Sequence, residues 1–145
     1  MKFIFLFMVT GFLWACTGND PQAVNTEKIM KDTANYTTIE WMDSASQRLG
    51  KVNQGAVVEI KWHFKNTGSK PLVVENVRPG CGCTGAEGPK EPIPPGKEGE
   101  ITAKFDTKNY PGEQHKEVYV TANNRNKNSE TQDVLRFSVE VQPKK

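Results

Sequence analysis

The sequence predicts an all-β fold, a β-sandwich of about seven strands preceded by a signal peptide and a flexible tether. From Thr38 onward, runs rich in β-branched and aromatic residues alternate with Gly, Pro and Asn, which mark turns. That region contains no convincing apolar stripe of an amphipathic helix. Short strands with closely spaced turns are typical of β-sandwiches. With 145 residues, the chain has room for one such domain.

The third predicted strand is the clearest of the seven. Residues 56–65 alternate between apolar and mainly charged side chains, with Trp62 and Phe64 on the apolar side and His63 on the polar side. That period of two indicates a strand with one buried face. The same pattern places the other strands at residues 38–42, 49–52, 71–78, 100–105, 118–122 and 135–141.

The first fifteen residues have the features of a secretory signal peptide. Lys2 gives a positive start, and the apolar run that follows is shorter than the roughly 20 residues needed to span a bilayer. The run ends in Leu13-Trp14-Ala15-Cys16, which resembles the lipobox of bacterial lipoproteins. The resemblance implies that Cys16 carries a lipid. We therefore predict a signal peptide over 1–15, a lipid-anchored tether over 16–37 and the sandwich domain over 38–145.

The charge of the chain gives no indication of a nucleic-acid partner. Lys2 lies in the predicted signal peptide, so 18 of the 19 basic side chains remain against 17 acidic ones after its removal. Nucleic-acid binding depends on a clear excess of Lys and Arg. With a lipid on Cys16, we expect the protein in the cell envelope, at the inner or outer membrane, facing the periplasm or the cell surface. We expect a monomer whose partner is an envelope protein.

Four short motifs resemble a bacterial protein family. They are Pro79-Gly80-Cys81-Gly82-Cys83-Thr84, Ile93-Pro94-Pro95-Gly96, Phe105-Asp106-Thr107 and Tyr119-Val120-Thr121-Ala122-Asn123. Together they make residues 38–142 similar to the domain of unknown function 1573, which resembles the immunoglobulin-like ASH and major sperm protein domains. The resemblance implies an immunoglobulin-like sandwich and an envelope setting. The family has no established reaction, so no catalytic residue follows from it.

Cys81 and Cys83 remain once Cys16 is assigned to lipid, and three roles stay open for them. They either pack in a tight Gly-rich bend, form a reversible disulfide, or bind a soft metal such as copper(I) or zinc. In an extended strand their Cα atoms would lie about 6.6 Å apart, near the upper limit for a disulfide, and Gly82 would help to close that gap. So small a ring removes little chain entropy, so it would add little stability and be easily reduced.

Few other residues are candidates for metal binding or catalysis. His63, His115 and Met42 are the side chains available to complete a metal site, and both histidines fall at positions that favour solvent exposure. The chain lacks a Gly-rich phosphate loop, a His-Glu-x-x-His helix and a Gly-x-Ser-x-Gly elbow. We therefore predict a binding or scaffolding module with no catalytic residue and no cofactor. The alternative is a thiol-redox or soft-metal protein that acts through Cys81-Gly82-Cys83.

Overall fold

The computed structural model describes residues 32–124 and 132–144, which fold into a β-sandwich. A short 3-10 turn, Thr33–Asn35, precedes the strands. The strands in this part of the chain are β1 (Ile39–Trp41), β2 (Ser46–Asn53), β3 (Val57–Asn66), β4 (Val74–Pro79), β5 (Thr84–Glu87), β6 (Glu98–Asp106), β7 (Gly112–Ala122) and β8 (Gln132–Gln142). Within the two described ranges, no helix has the length and apolar character needed to cross a membrane. The predicted all-β class is confirmed.

The strands form two sheets of four. Sheet I has the order β1-β3-β6-β5, and sheet II has the order β2-β8-β7-β4. Neighbouring strands are antiparallel except β2 and β8, which pair in parallel. The chain crosses from β4 of sheet II to β5 of sheet I through residues 80–83. The Cys-Gly-Cys motif therefore lies where the two sheets are joined.

The core lies between the sheets and follows the predicted alternation of β3. Trp62 and Phe64 are fully buried, whereas Lys61 and His63 on the same strand are exposed. The Trp62 ring approaches the buried ring of Phe137 from sheet II, with ring centroids 6.3 Å apart. The predicted inner face of β3 is confirmed.

Several strand boundaries differ from the predicted ones. The sequence pattern predicts no strand at β5, because Gly85 and Ala86 lack the branched or aromatic side chains typical of strands. β7 begins at Gly112 instead of residue 118, since a polar stretch extends its pairing with β8. The predicted strand at 71–78 forms regular pairing only from Val74. β3 and β4, which flank the loop at 66–70, lie in different sheets.

Buried polar side chains anchor the loops to the sandwich. Asn66 Nδ2 donates to two loop carbonyls at 2.8 and 2.9 Å. Thr107 Oγ1 donates to the carbonyl of Ala56 at 2.7 Å and accepts from the N–H of Gly55 at 3.0 Å. Asn66 and Thr107 are both fully buried. With Asn123, described next, they are called the loop-anchoring residues.

Asn123 fixes the segment that enters the domain. Its side chain accepts from the N–H of Val73 at 2.7 Å and donates to the carbonyls of Asn35 and Pro71 at 2.8 and 3.0 Å. The N–H of Thr37 donates to the backbone carbonyl of Asn123 at 3.0 Å. Residues 32–37, assigned to the tether from the sequence, therefore lie against the sandwich. The predicted signal peptide at 1–15, Cys16 and the rest of the tether lie outside the described residues.

Candidate functional site

A depression on the outer face of sheet II, named here the outer-face depression, is the candidate functional site. Its volume is about 570 Å³, within the usual range for small-ligand sites. The residues around it that carry chemistry are Arg48, Cys81, His115, Glu117, Tyr119 and Arg136. They come from β2, β7, β8 and the loop after β4. No single strand contains the site.

The strand register explains why these side chains meet. Arg136 of β8 lies opposite Glu117 of β7 on one side and Ser46 of β2 on the other. In the next outward row, Ser138 lies between His115 and Arg48. Residues two apart on a strand project to the same face, so both rows point away from the core. The pairing of β2 with β8 completes the depression.

Glu117 is the acceptor at the centre of the depression. Tyr119 donates its hydroxyl to Glu117 Oε2 at 2.6 Å, and Arg136 Nε donates to Glu117 Oε1 at 2.9 Å. These hydrogen bonds lower the pKa of the Glu117 carboxyl, and the bond to Glu117 raises the pKa of Tyr119. The guanidinium of Arg78 lies 4.7 Å from the centre of the Tyr119 ring. Glu117 is therefore held as a carboxylate whose two oxygens are already occupied.

Positive charge exceeds negative charge around the outer-face depression. Arg48 and Arg136 are its cationic side chains, and Glu117 is its one carboxylate; Lys116 also borders it, but its strand position, opposite the buried Phe137, directs the ammonium away from the outer face. The Lys116 ammonium lies over the rings of Phe105 and Tyr110, 5.0 and 4.9 Å from their centres, and burial lowers its pKa. Arg48 makes no ion pair within the described ranges. The site therefore favours anions over cations.

The Cys-Gly-Cys-Thr motif forms a tight turn at the edge of the depression. The N–H of Thr84 donates to the carbonyl of Cys81 at 3.3 Å, so the chain turns here instead of extending. The turn brings the Cα atoms of Cys81 and Cys83 to 5.4 Å, and a disulfide joins the two residues. Of the three roles left open by the sequence, the structure contains the disulfide, set in a Gly-rich bend.

The two sulfur atoms of the disulfide have different surroundings. Cys81 lines the outer-face depression, whereas Cys83 packs against the hydrophobic core. The buried Thr84 hydroxyl oxygen lies 3.5 Å from Cys81 Sγ and 3.9 Å from Cys83 Sγ. Cys81 therefore borders the candidate site, and Cys83 borders the hydrophobic core.

The metal ligands considered from the sequence do not come together. His115 shares the outer-face depression with Cys81, but His63 lies on the outer face of sheet I and Met42 is 55% exposed. Among residues 32–124 and 132–144, no three His, Cys, Asp or Glu side chains form a group suited to a metal ion. The sulfurs are joined to each other, so neither offers the thiolate that a soft metal requires.

The outer face of sheet I has a contrasting arrangement of charges. His63 Nδ1 and Nε2 lie 2.8 Å from Asp43 and 3.1 Å from Glu100, and Lys61 Nζ lies 2.9 Å from Glu100. The backbone N–H of His63 lowers the pKa of Asp43, and the Lys61 hydrogen bond lowers the pKa of Glu100. The two carboxylates approach opposite nitrogens of the imidazole, so they do not converge on a point where a ligand could bind. Each imidazole nitrogen and the Lys61 ammonium therefore already has a carboxylate partner.

The sequence points to the cysteine pair and to His115, but it does not indicate the other principal residues of the depression. Arg48 and Arg136 belong to no motif, because each is an ordinary outward residue on its strand, and the motif that begins at Tyr119 does not indicate the contact of Tyr119 with Glu117. The alternation of apolar and polar residues along β7 places Glu117 and Tyr119 on the same outward face, where the structure has them.

Solved structures with a similar fold come from several organisms. A protein of unknown function from Porphyromonas gingivalis W83 matches with a TM-score of 0.63 and 15% identity, over 75% of this chain and 49% of the other. The ASH / PapD-like domain 7 of human CEP192 matches with a TM-score of 0.51 and 12% identity, over 77% and 88%. The secreted serine protease VesC from Vibrio cholerae matches with a TM-score of 0.51 and 9% identity, over 81% and 25%.

These likenesses show a shared immunoglobulin-like fold and nothing more, because the sequence identities are low. The chain spans about half of the Porphyromonas protein and a quarter of the protease. No protein of curated function matches the chain. A family model described as a protein of unknown function, DUF1573, matches residues 39–141. That range covers most of the chain and confirms the predicted family, so the chain belongs to the DUF1573 family.

Proposed function

We propose that the protein is a non-enzymatic binding module of the cell envelope, held at a membrane by a lipid on Cys16. In this proposal it binds an extended, acidic segment of an envelope protein along β2 of sheet II. The immunoglobulin-like fold supports the proposal, because such sandwiches present edge strands and loops on a rigid frame. The lipobox-like sequence before Cys16 supports the anchor.

The observation that carries the proposal is the length and charge of β2. With eight residues, β2 is the longest of the four edge strands in the described part of the chain, and it pairs only with β8. An edge strand has unpaired backbone groups, to which a peptide strand can add. Arg48 and Lys51 project from β2, and although Lys51 lies 3.3 Å from Glu140, Arg48 has no ion pair in the described part of the chain, so an acidic peptide would be favoured. The register shift between these residues disfavours indiscriminate pairing with other strands.

Photo-crosslinking in cells tests the proposed contact. A photoreactive amino acid at Lys51 of β2 should give a crosslinked adduct to a distinct envelope protein. The matched control is Lys104, an equally exposed lysine on sheet I, where we expect no such adduct. Identical crosslinking patterns from Lys51 and Lys104 would contradict a partner site at β2.

The lipid anchor is tested separately. Cys16→Ser should abolish labelling by radioactive palmitate and release the protein from the membrane fraction, because the acceptor thiol is gone. Cys81→Ser is the matched control and should leave both labelling and membrane association unchanged. Retention of the Cys16→Ser protein in the membrane fraction would disprove the anchor.

A further inference from the structure

We propose that the Cys81–Cys83 disulfide is a redox site for a small anionic thiol, which binds in the outer-face depression and attacks the sulfur of Cys81. The inference goes beyond the proposed protein-binding function and does not depend on it. Its basis is the disulfide, the difference between the two sulfurs and the charge of the depression.

The disulfide contributes little to holding the fold together. It joins residues only two apart, so it removes little entropy from the unfolded chain. The loop is already held to both sheets by the backbone. The N–H of Gly80 donates to the carbonyl of Glu117 in sheet II at 2.8 Å, and the N–H of Asp106 donates to the carbonyl of Cys83 at 3.2 Å. A role in stability therefore does not account for the bond.

The surroundings of the disulfide direct a nucleophile to Cys81. Cys81 lines the depression, whereas Cys83 packs against the core. The residue between them, Gly82, is exposed, and a Cβ atom built there would meet no other atom within 4 Å. The space beside the turn is therefore open to a small thiol bound in the depression, and attack on Cys81 Sγ makes Cys83 the leaving group.

The charge of the depression selects an anionic thiol. Arg48 and Arg136 face the depression, and the one carboxylate among them, Glu117, already accepts hydrogen bonds from Tyr119 and Arg136. Because Arg136 is paired with Glu117, the guanidinium of Arg48, which has no ion pair in the described part of the chain, is the charge that raises the local concentration of anions. The volume of about 570 Å³ suits a molecule of tripeptide size. Carboxylates near Arg48 would place an attached thiol across the depression toward Cys81.

The reaction is thiol–disulfide exchange. The thiolate forms a bond to Cys81 Sγ, and the Cys81–Cys83 bond breaks with its electron pair leaving on Cys83 Sγ. The Thr84 hydroxyl, 3.5 Å from Cys81 Sγ and 3.9 Å from Cys83 Sγ, is within reach of the new thiolate on Cys83, which then takes a proton from water. A second small thiolate attacks the small-molecule sulfur of the mixed disulfide and releases Cys81 as a thiolate. Two small thiols are oxidised to their disulfide, and the cysteine pair gains two electrons.

The test compares thiols of different charge on the full chain carrying Cys16→Ser, which leaves Cys81 and Cys83 as its two cysteines. Reduced glutathione is the anionic probe, 2-mercaptoethanol the neutral probe and cysteamine the cationic probe. Divided by the thiolate concentration, the rate with glutathione should exceed the rate with cysteamine by about tenfold at low ionic strength. The difference should shrink in high salt because the attraction is screened. Equal rates per thiolate would overturn the proposal.

Two further measurements locate the site. Arg48→Gln should reduce the glutathione preference several-fold and leave the rate with 2-mercaptoethanol unchanged, whereas Lys104→Gln on sheet I should change neither rate. Rapid alkylation followed by mass spectrometry should find the glutathione adduct on Cys81. An adduct mainly on Cys83, an equal effect of the two charge variants, or a fully reduced pair after purification in air would each refute the assignment.

Discussion

The motifs that identify the family fall into two structurally different regions. Thr107 and Asn123 are buried, and their side chains make the hydrogen bonds that anchor the loops. The turn at residues 81–84 is partly exposed, and its neighbours hold it by backbone hydrogen bonds. The loop-anchoring residues therefore stabilise the fold, whereas the disulfide-bonded cysteines of the turn are available for a chemical role. Motifs of the same family can therefore have different roles in the protein.

The outer faces of the two sheets differ in a comparable way. On sheet I, Lys61 and His63 contact carboxylates that lie on the same face, so these side chains are partnered with one another. On sheet II, Arg48 faces a depression that contains more cations than carboxylates. Charged side chains that are partnered with one another are typical of a solvated surface, whereas an excess of positive charge around a concave site can attract an anionic ligand. Substitutions should separate the residues that stabilise the fold from those with a chemical role by their effect on the free energy of unfolding.

The largest loss of stability is expected from a substitution in the core. Trp62→Ala should lower the free energy of unfolding by about 3–5 kcal/mol, because the side chain is fully buried and its removal leaves a cavity. Urea denaturation measures the change. A near-neutral effect on the urea midpoint would mean that the inner and outer faces of β3 have been exchanged.

Replacing a loop-anchoring residue should cost almost as much stability as the core substitution. Asn123→Ala should cost about 2–4 kcal/mol, because it leaves the buried N–H of Val73 and the part-buried carbonyls of Asn35 and Pro71 without their side-chain partner. The matched control is Asn76→Ala, at an exposed position on β4, which should change stability by less than about 0.5 kcal/mol. Equal urea midpoints for the two variants would remove the structural role assigned to Asn123.

The cysteine pair should have a smaller effect than Asn123. The double change Cys81→Ser and Cys83→Ser should cost less than about 1.5 kcal/mol, since the disulfide closes so short a loop. The comparison is made by urea denaturation of the oxidised wild-type chain and the double variant. A loss of stability as large as that of Asn123→Ala would mean that the disulfide turn is needed to stabilise the fold.

The smallest effect is expected at Gly82. Gly82→Ala should change stability by no more than about 0.5 kcal/mol, because the added methyl group meets no atom within 4 Å. Gly88→Ala is the matched control, where a Cβ would lie 2.8 Å from Ile101 Cδ1 and cause overpacking of about 1–3 kcal/mol. Thermal denaturation measures both, and a similar loss at the two glycines would contradict an open approach to Cys81.

Much of the fold follows from local patterns in the sequence. The alternation around Trp62 predicts both a strand and its buried face, because the period of a strand matches its two sides. β5 is missed because Gly85 and Ala86 have low strand propensity, and its pairing with β6 overrides that preference. The parallel pairing of β2 with β8 has no local signature, since it joins distant parts of the chain.

The candidate site is less predictable than the fold. Cys81 and Cys83 stand out because two cysteines share one short motif, but their bonding depends on a turn that the sequence does not specify. Arg48 and Arg136 become neighbours of the depression only through the register of three strands. In the sequence, each is a single charge on a polar face.

The pairing of β2 with β8 also constrains the order in which the protein can fold. Ser46, near the start of the domain, lies beside Arg136, near its end. Closing a loop of that length is entropically costly, and such long-range pairing slows folding. One wall of the outer-face depression belongs to β2 and another to β8, so the depression cannot exist until the last strand has been synthesised. A growing chain therefore presents the cysteine turn before it presents the charged site around it.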